Sequence, residues 1–253
     1  MSLLSVADLK VSFGGVAAVD GVSFDVEAGT LLGLIGPNGA GKTTTVEAVT
    51  GFAPLASGTI SFDGHAIERW PPHRRARAGL VRSFQSVELF DDLSVRENLL
   101  AAAHRRIWRQ SLLDTLWPRR HGDPDSVDEA LEATGIADLA PMSPAELSQG
   151  QRKLCGLARA LACRPSLLLL DEPAAGLDSS ESLALGDRLR AVVEQGIAIV
   201  LVDHDMGLVL GVSDHVVVLD NGRLLAEGAP ATIRSDQRVI DAYLGDDAVG
   251  SHP

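Results

Sequence analysis

The residues Gly36-Pro37-Asn38-Gly39-Ala40-Gly41-Lys42-Thr43 carry the clearest chemistry in the sequence. They fit G-x-x-x-x-G-K-[ST], and they stand where that pattern has physical meaning. An apolar run of strand length, Leu31–Ile35, precedes them, and a helical pattern ending at Gly51 follows. Glycines let successive backbone N–H groups turn inward on phosphate oxygens, aided by the positive end of the helix behind them. Lys42 is expected to reach the β- and γ-phosphates of a nucleotide, and Thr43 to ligate Mg²⁺. Such a site needs a second, acidic element for the metal. "LLLLDEP" supplies it: an apolar run ends at Asp171, whose carboxylate can hold Mg²⁺ through water, and Glu172 beside it is suited to polarise an attacking water.

Three further stretches are ambiguous when read singly. Gln85 lies in "VRSFQSVELF" and His204 in "LVDHDM". A lone glutamine is usually a surface residue, and a histidine after a strand is more often structural than catalytic. "LSQGQ", Leu147–Gln151, holds no acid, base or metal ligand, yet it runs from a Pro-Ser loop into a long helical pattern. A helix N-terminus carrying a small hydroxyl residue is a good anion site.

The elements that must position these residues read as α/β. Short strands separated by glycine-containing turns fill the first 64 residues: "LLSVADLKVSF", "GVSFDVEAG", "TLLGLIG" and "GTISFDG". From about Gln85 to Glu146 the pattern turns helical and charged, with "SVRENLLAAAHRRIW" and "DSVDEALEATGIADL" as the two clearest helices. Strand-length apolar runs, "SLLLLD" and "GIAIVLVD", then alternate with helices; their lack of polar alternation predicts parallel strands buried on both faces. "HVVVLDNGRLLAEG" predicts a hairpin on an Asn-Gly turn.

A hydrophobic content of 45% excludes disorder, and no apolar run approaches the roughly 20 residues of a membrane-spanning helix. The first residues, "MSLLSVADLKVSF", are too polar and strand-like for a signal peptide, so a soluble, intracellular protein is expected. Cys155 and Cys163 lie about 12 Å apart along one helical pattern, too far to bridge, and read as buried, reduced thiols. The net charge of −12 argues against general nucleic-acid binding. It is unevenly spread: residues 69–120 hold eleven arginines against five acids, leaving −18 on the rest. That basic segment is either a solvated face or a surface near anionic headgroups or a partner.

Taken in chain order, these stretches resemble the ATP-binding subunit of ABC transporters. "GPNGAGKTT" looks like Walker A, Gln85 the Q-loop, "LSQGQ" the family signature, "LLLLDEP" Walker B, Ala175–Asp178 the D-loop and His204 the switch histidine. Phe13, before Gly14-Gly15, matches the aromatic that stacks on adenine; its plainer reading is a strand-end core residue. The resemblance covers residues 3–245. It implies an α/β fold, a P-loop NTPase (RecA-like) core with an antiparallel β subdomain and an inserted α-helical subdomain. The whole of 1–253 would be one domain, with the core and β subdomain in 1–84 and 148–253 and the helical insertion in 85–147.

The resemblance also implies an ATPase with ATP and Mg²⁺ as cofactors. Glu172, His204 and Gln85 would be catalytic, and Thr43, Gln85 and Asp171 would hold the metal. Phe13, Gly36, Pro37, Asn38, Gly39, Ala40, Gly41, Lys42, Thr43, Thr44, Ser148, Gln149, Gly150 and Asp178 would surround nucleotide. In this family two subunits pack head to tail, so Ser148, Gln149 and Gly150 would serve the ATP held by the opposite subunit. Gln149 stands where a second glycine is commonest, and its side chain is expected to point away from phosphate.

Finer resemblance points to importers of the branched-chain amino acid (LivG-like) type. It rests on "RRARAGLVRSFQSVELFDDLSVRENLL", "DEPAAGL", "VDHDM", the tail "GRLLAEGAPATIRSDQRVIDAYLG" and the insert "HRRIWRQSLLDTLWPRRHGD", whose Trp108 and Trp117 either meet headgroups or pack within a helix pair. The partners implied are a second ATPase subunit, membrane permeases and, indirectly, a substrate-binding protein, at the cytoplasmic face of the membrane. A groove from Gln85 through Asn98, including Val87, Leu89 and Phe90, would receive the permease. Two alternatives stay open: an ATPase of the lipopolysaccharide-export type, and a non-transport ABC ATPase of the kind that works in DNA repair or translation.

Overall fold

A computed structural model describes residues 2–83, 89–103 and 123–249 of the 253-residue chain, the side chains of 244–249 excepted. Gln85, Val87, Trp108 and Trp117, and the expectations placed on them, lie outside the described residues. The chain forms two compact units, Met1–Gln85 with Ser166–Pro253, and Ser86–Pro165.

The first unit holds two sheets. Strands β1 (Ser2–Phe13) and β2 (Val16–Glu27) form a long antiparallel hairpin, joined by β4 (Ser57–Phe62) and β5 (His65–Ala66) in the order β2-β1-β4-β5. Along β1 the buried positions are Leu4 and Val6, then Leu9 and Val11. The alternation slips a phase between them, where Asp8 takes φ +49° at a bulge, and so both halves of the strand keep their apolar side chains inward.

The second sheet has the order β10-β9-β3-β8-β7-β6. Its members are β3 (Leu31–Ile35), β6 (Leu80–Ser83), β7 (Leu167–Asp171), β8 (Ala198–Val202) and β9 (His215–Asp220), all parallel, with β10 (Arg223–Gly228) antiparallel on β9. Every residue of β3, β7 and β8 is buried, as uninterrupted apolar runs require of a parallel sheet covered on both faces. The β9–β10 hairpin turns on Asn221 (φ +46°) and Gly222 (φ +76°), two left-handed residues in succession.

Helices α1 (Lys42–Thr50), α2 (Pro72–Arg77), α6 (Ser179–Glu194), α7 (Met206–Val212), α8 (Pro230–Arg234) and α9 (Gln237–Val249) complete this unit. Helix α1 stops at Gly51, left-handed at φ +84°. Its last carbonyls are met by a buried cation: Arg75 donates to Ala48 O and Val49 O, and also to Trp70 O and Glu68 O. A guanidinium at a helix C-terminus complements the helix dipole.

In the second unit, α3 (Val95–Ala102), α4 (Pro124–Thr134) and α5 (Gln149–Leu161) pack on one another around Val95, Leu99, Val127, Leu131, Leu157 and Leu161. Asn98 is fully buried; it accepts from Phe90 N at 2.8 Å and donates to Phe90 O and Ser94 O, so it pins the loop before α3 to the helix. The unit runs to Pro165, past the 147 boundary expected from the sequence, because α5 packs with α3 and α4. Cys155 is fully buried, which pushes its thiol up to about 11, and burial likewise raises Cys163; both are free thiols.

Candidate nucleotide site

Strand β3 delivers the chain into the glycine-rich loop, and the loop's glycines are there for space as well as conformation. A Cβ on Gly36 would stand 2.1 Å from Leu219 O, and one on Gly41 (φ +96°) 2.6 Å from Ala18 O. Gly39 differs: it is left-handed at φ +78°, but a Cβ there meets nothing within 4 Å. The loop is therefore clamped by backbone at both ends and open in the middle, where Asn38 and Gly39 are exposed and only Ala40 is buried. Lys42 Nζ folds back over it, donating to Gly36 O at 2.6 Å and Pro37 O at 2.9 Å. Thr43 and Thr44 open α1, with Thr43 exposed. Phe13 ends β1 half exposed, at 50%, which removes the reading of it as a core residue. Glycine is thus demanded at both ends by the backbone beside it, and the open middle leaves room for a phosphate group.

On β7 the run of leucines ends at Asp171, which is 4% exposed and paired with Arg82 from β6, Nη2 to Oδ2 at 2.8 Å. Glu172 then takes a left-handed conformation, φ +51°, while its N–H donates to Val202 O at 2.7 Å. That turn ends the strand and leaves the Glu172 side chain partly exposed. Asp178 caps α6, accepting from Ser180 N and Glu181 N at 2.8 and 2.9 Å. The Glu181 N–H above all, with the Ser180 hydroxyl, holds its carboxyl below the usual carboxylate range. His204 follows β8 with its side chain 70% exposed and Nδ1 3.6 Å from Asp203 Oδ1.

In the second unit Ser148 caps α5. Its hydroxyl accepts from Gln151 N, and its own N–H donates to Gln151 Oε1 at 2.8 Å. Ser148 and Gln149 are exposed and Gly150 half-buried, so the serine-glycine step does open a helix, on the surface.

Within the first unit, sheet order does the assembling. Strands β3, β8 and β7 are parallel neighbours, so their C-terminal ends, which carry the glycine loop, Asp203-His204 and Asp171-Glu172, share one edge. That edge is where open α/β sheets bind ligands.

A family model described as ABC transporter matches residues 19–175, and one described as Branched-chain amino acid ATP-binding cassette transporter matches residues 223–249. The chain belongs to the ABC transporter family. It is 40% identical, over 96% of its length and 98% of the relative's, to the high-affinity branched-chain amino acid transport ATP-binding protein BraF of Pseudomonas aeruginosa. It is 39% identical, with the same coverage, to the corresponding protein LivG of Escherichia coli K12. A solved ADP conformation of MJ1267, an ATP-binding cassette of an ABC transporter, matches with a TM-score of 0.86 at 29% identity, covering 97% of this chain and 99% of that one. An ABC ATPase with the P-loop NTPase fold, it binds and hydrolyses ATP as a transporter subunit.

Two residues at this ABC site carry no motif and were not anticipated. Arg82 pairs with Asp171 only because β6 lies beside β7, and Leu80–Ser83 is too short and too mixed to read as a strand. Asp203 is buried to 1% beside an exposed histidine. Its one signal was an acid at the end of an apolar strand, the same signal that marked Asp171.

Proposed function

We propose that this chain powers a membrane importer of branched-chain amino acids or similar small polar solutes. The observation that carries the substrate class is the match of residues 223–249 to the branched-chain amino acid cassette model, joined to the full-length likeness to BraF and LivG. The tail also favours this reading over an exporter, since the same model covers the hairpin strand β10 and helices α8 and α9.

In this reading the first unit is the nucleotide-binding core with its β subdomain, and the second is the helical subdomain. The glycine loop wraps the phosphates with backbone N–H groups, and Lys42 leaves its loop carbonyls to neutralise the β- and γ-phosphates. Phe13 stacks on adenine. Thr43 and Asp171, with Gln85, would hold Mg²⁺, which neutralises phosphate charge when bound. Glu172 orients and polarises the attacking water, and His204 completes the constellation. Ser148, Gln149 and Gly150 meet the nucleotide of a second subunit through the exposed α5 N-terminus.

The partners are that second ATPase subunit, integral-membrane permeases and, through them, a substrate-binding protein. Among the described residues no helix is long and apolar enough to cross a membrane, which fits a peripheral subunit at the cytoplasmic face. The test is co-expression with candidate permeases, followed by detergent pull-down and ATP-driven uptake in proteoliposomes. Uptake of leucine, isoleucine or valine that requires this chain is expected. Assembly with a permease that drives export, or ATPase activity without any membrane partner, would overturn the reading.

A further inference from the structure

The side chain of Asp203 is fully withdrawn from solvent, yet it carries a carboxylate and lies one residue from an exposed histidine. Burying a carboxylate is costly unless hydrogen bonds compensate, and the bonds it makes are informative. Oδ2 accepts from Ala174 N at 3.0 Å, in the loop that follows Glu172. Oδ1 accepts from Asp205 N at 3.0 Å and stands 3.6 Å from His204 Nδ1. One carboxylate thus joins the backbone two residues after Glu172 to the backbone one residue after His204.

A second tie runs parallel to it. Ser182 of α6 donates its hydroxyl to Asp205 Oδ2 at 2.8 Å, while Asp205 caps α7 through Leu208 N. The loop leaving β7 is further laced by Glu172 N to Val202 O and by Ala175 N to Glu172 O. Glu172 holds a left-handed backbone that a residue with a side chain adopts only when its surroundings over-determine it.

We propose that Asp203 is a positioning residue for hydrolysis: it locks the Glu172 loop to the His204 loop and sets the His204 ring by its Nδ1 face. The inference rests on the proposed roles of Glu172 and His204. It adds that their relative placement is made by the protein before nucleotide arrives, through a group that touches neither water nor phosphate. An aspartate supplies two acceptor oxygens in one plane, one for each loop. An asparagine of the same shape supplies one acceptor and an amide that meets an N–H donor head-on, so one tie breaks.

The experiment compares the full-length chain with Asp203→Asn, Glu172→Gln and His204→Ala. Melting temperature, equilibrium MgATP affinity, kcat and KM are measured, together with the ring ¹⁵N signals of His204 assigned by difference from His204→Ala. For Asp203→Asn the expected result is ATP affinity close to the parent and kcat reduced on the order of tenfold to a hundredfold, as for a small misplacement of reacting groups. The His204 ring signals shift as well. Unchanged kcat, unchanged His204 signals, or a fall in kcat matched by a fall in ATP affinity would each overturn the proposal.

Should the asparagine variant not fold, Asp203→Glu is read in the same way, since it keeps the charge but displaces the oxygens by a methylene. Full activity there overturns the proposal; reduced kcat with retained affinity and shifted His204 signals supports it. Full hydrolysis in both Glu172→Gln and His204→Ala would instead defeat the underlying site reading, whatever Asp203→Asn does.

Discussion

At the scale of single residues, the proposed roles divide into groups that would meet substrate and groups that would hold them. On the proposed reading, Glu172→Gln keeps the shape of the side chain but removes the base. Hydrolysis should fall about 100-fold or more while ATP still binds, which single-turnover kinetics beside equilibrium titration would show. Arg82→Met is expected to act differently, through the fold. The Arg82–Asp171 pair is almost entirely buried, at 10% and 4% exposure, so removing one partner leaves an uncompensated charge. A loss of about 3–5 kcal/mol in urea denaturation is expected, recovered in large part by the double change Arg82→Met, Asp171→Leu. The placement of Lys42 after the glycine loop, and of Asp171 and Glu172 at the end of an apolar strand, was legible in the sequence because it depends on spacing along the chain. The contacts of Arg82 and Asp203 were not: Arg82 meets Asp171 from β6 to β7, and Asp203 meets Ala174 N in the loop after β7.

At the scale of elements, the glycine loop offers a controlled comparison. Gly39→Ala and Gly41→Ala both place a side chain at positive φ, which costs about 1–2 kcal/mol for a residue other than glycine. Gly41 alone also has a backbone oxygen, Ala18 O, 2.6 Å from the added Cβ. Gly39→Ala should therefore lose only a little melting temperature and stay folded, whereas Gly41→Ala should lose ATP binding and a larger share of its stability. Calorimetry and nucleotide titration on the two variants decide it; equal behaviour would mean that the clamp at Ala18 yields. The elements themselves were legible where one signal ran the length of the segment, as in β3, β7, β8 and the Asn-Gly hairpin. β6 has four residues with charge inside it, and α2 opens on Pro72 after another proline, so neither offers a run long enough to show a period. The second unit runs to Pro165 because α5, which opens on Ser148, packs its body on α3 and α4.

At the scale of the whole molecule, the exposed N-terminus of α5 is, on the proposed reading, half of a site that a second subunit completes. Ser148→Arg should leave MgATP binding by the isolated subunit near normal and abolish hydrolysis, because the cation blocks only the approach of a second copy. Loss of binding in the monomer would contradict this. The order in which the molecule can be built also follows from the clamp on the glycine loop. Ala18 O faces both Gly41 and Gly222, and β3 is flanked in its sheet by β8 and β9. The loop is thus a product of three stretches, made near the start, in the first fifth and near the end of translation. Chains tend to fold from the N-terminus as they emerge, and contacts of long sequence separation form late. A ribosome-bound chain arrested before residue 198 would carry the complete glycine motif without the strands on either side of β3 that hold it in shape. Nascent chains of this protein should therefore acquire ATP only after the β9–β10 hairpin has left the ribosome, so no nucleotide is taken up by a subunit that is still unfinished.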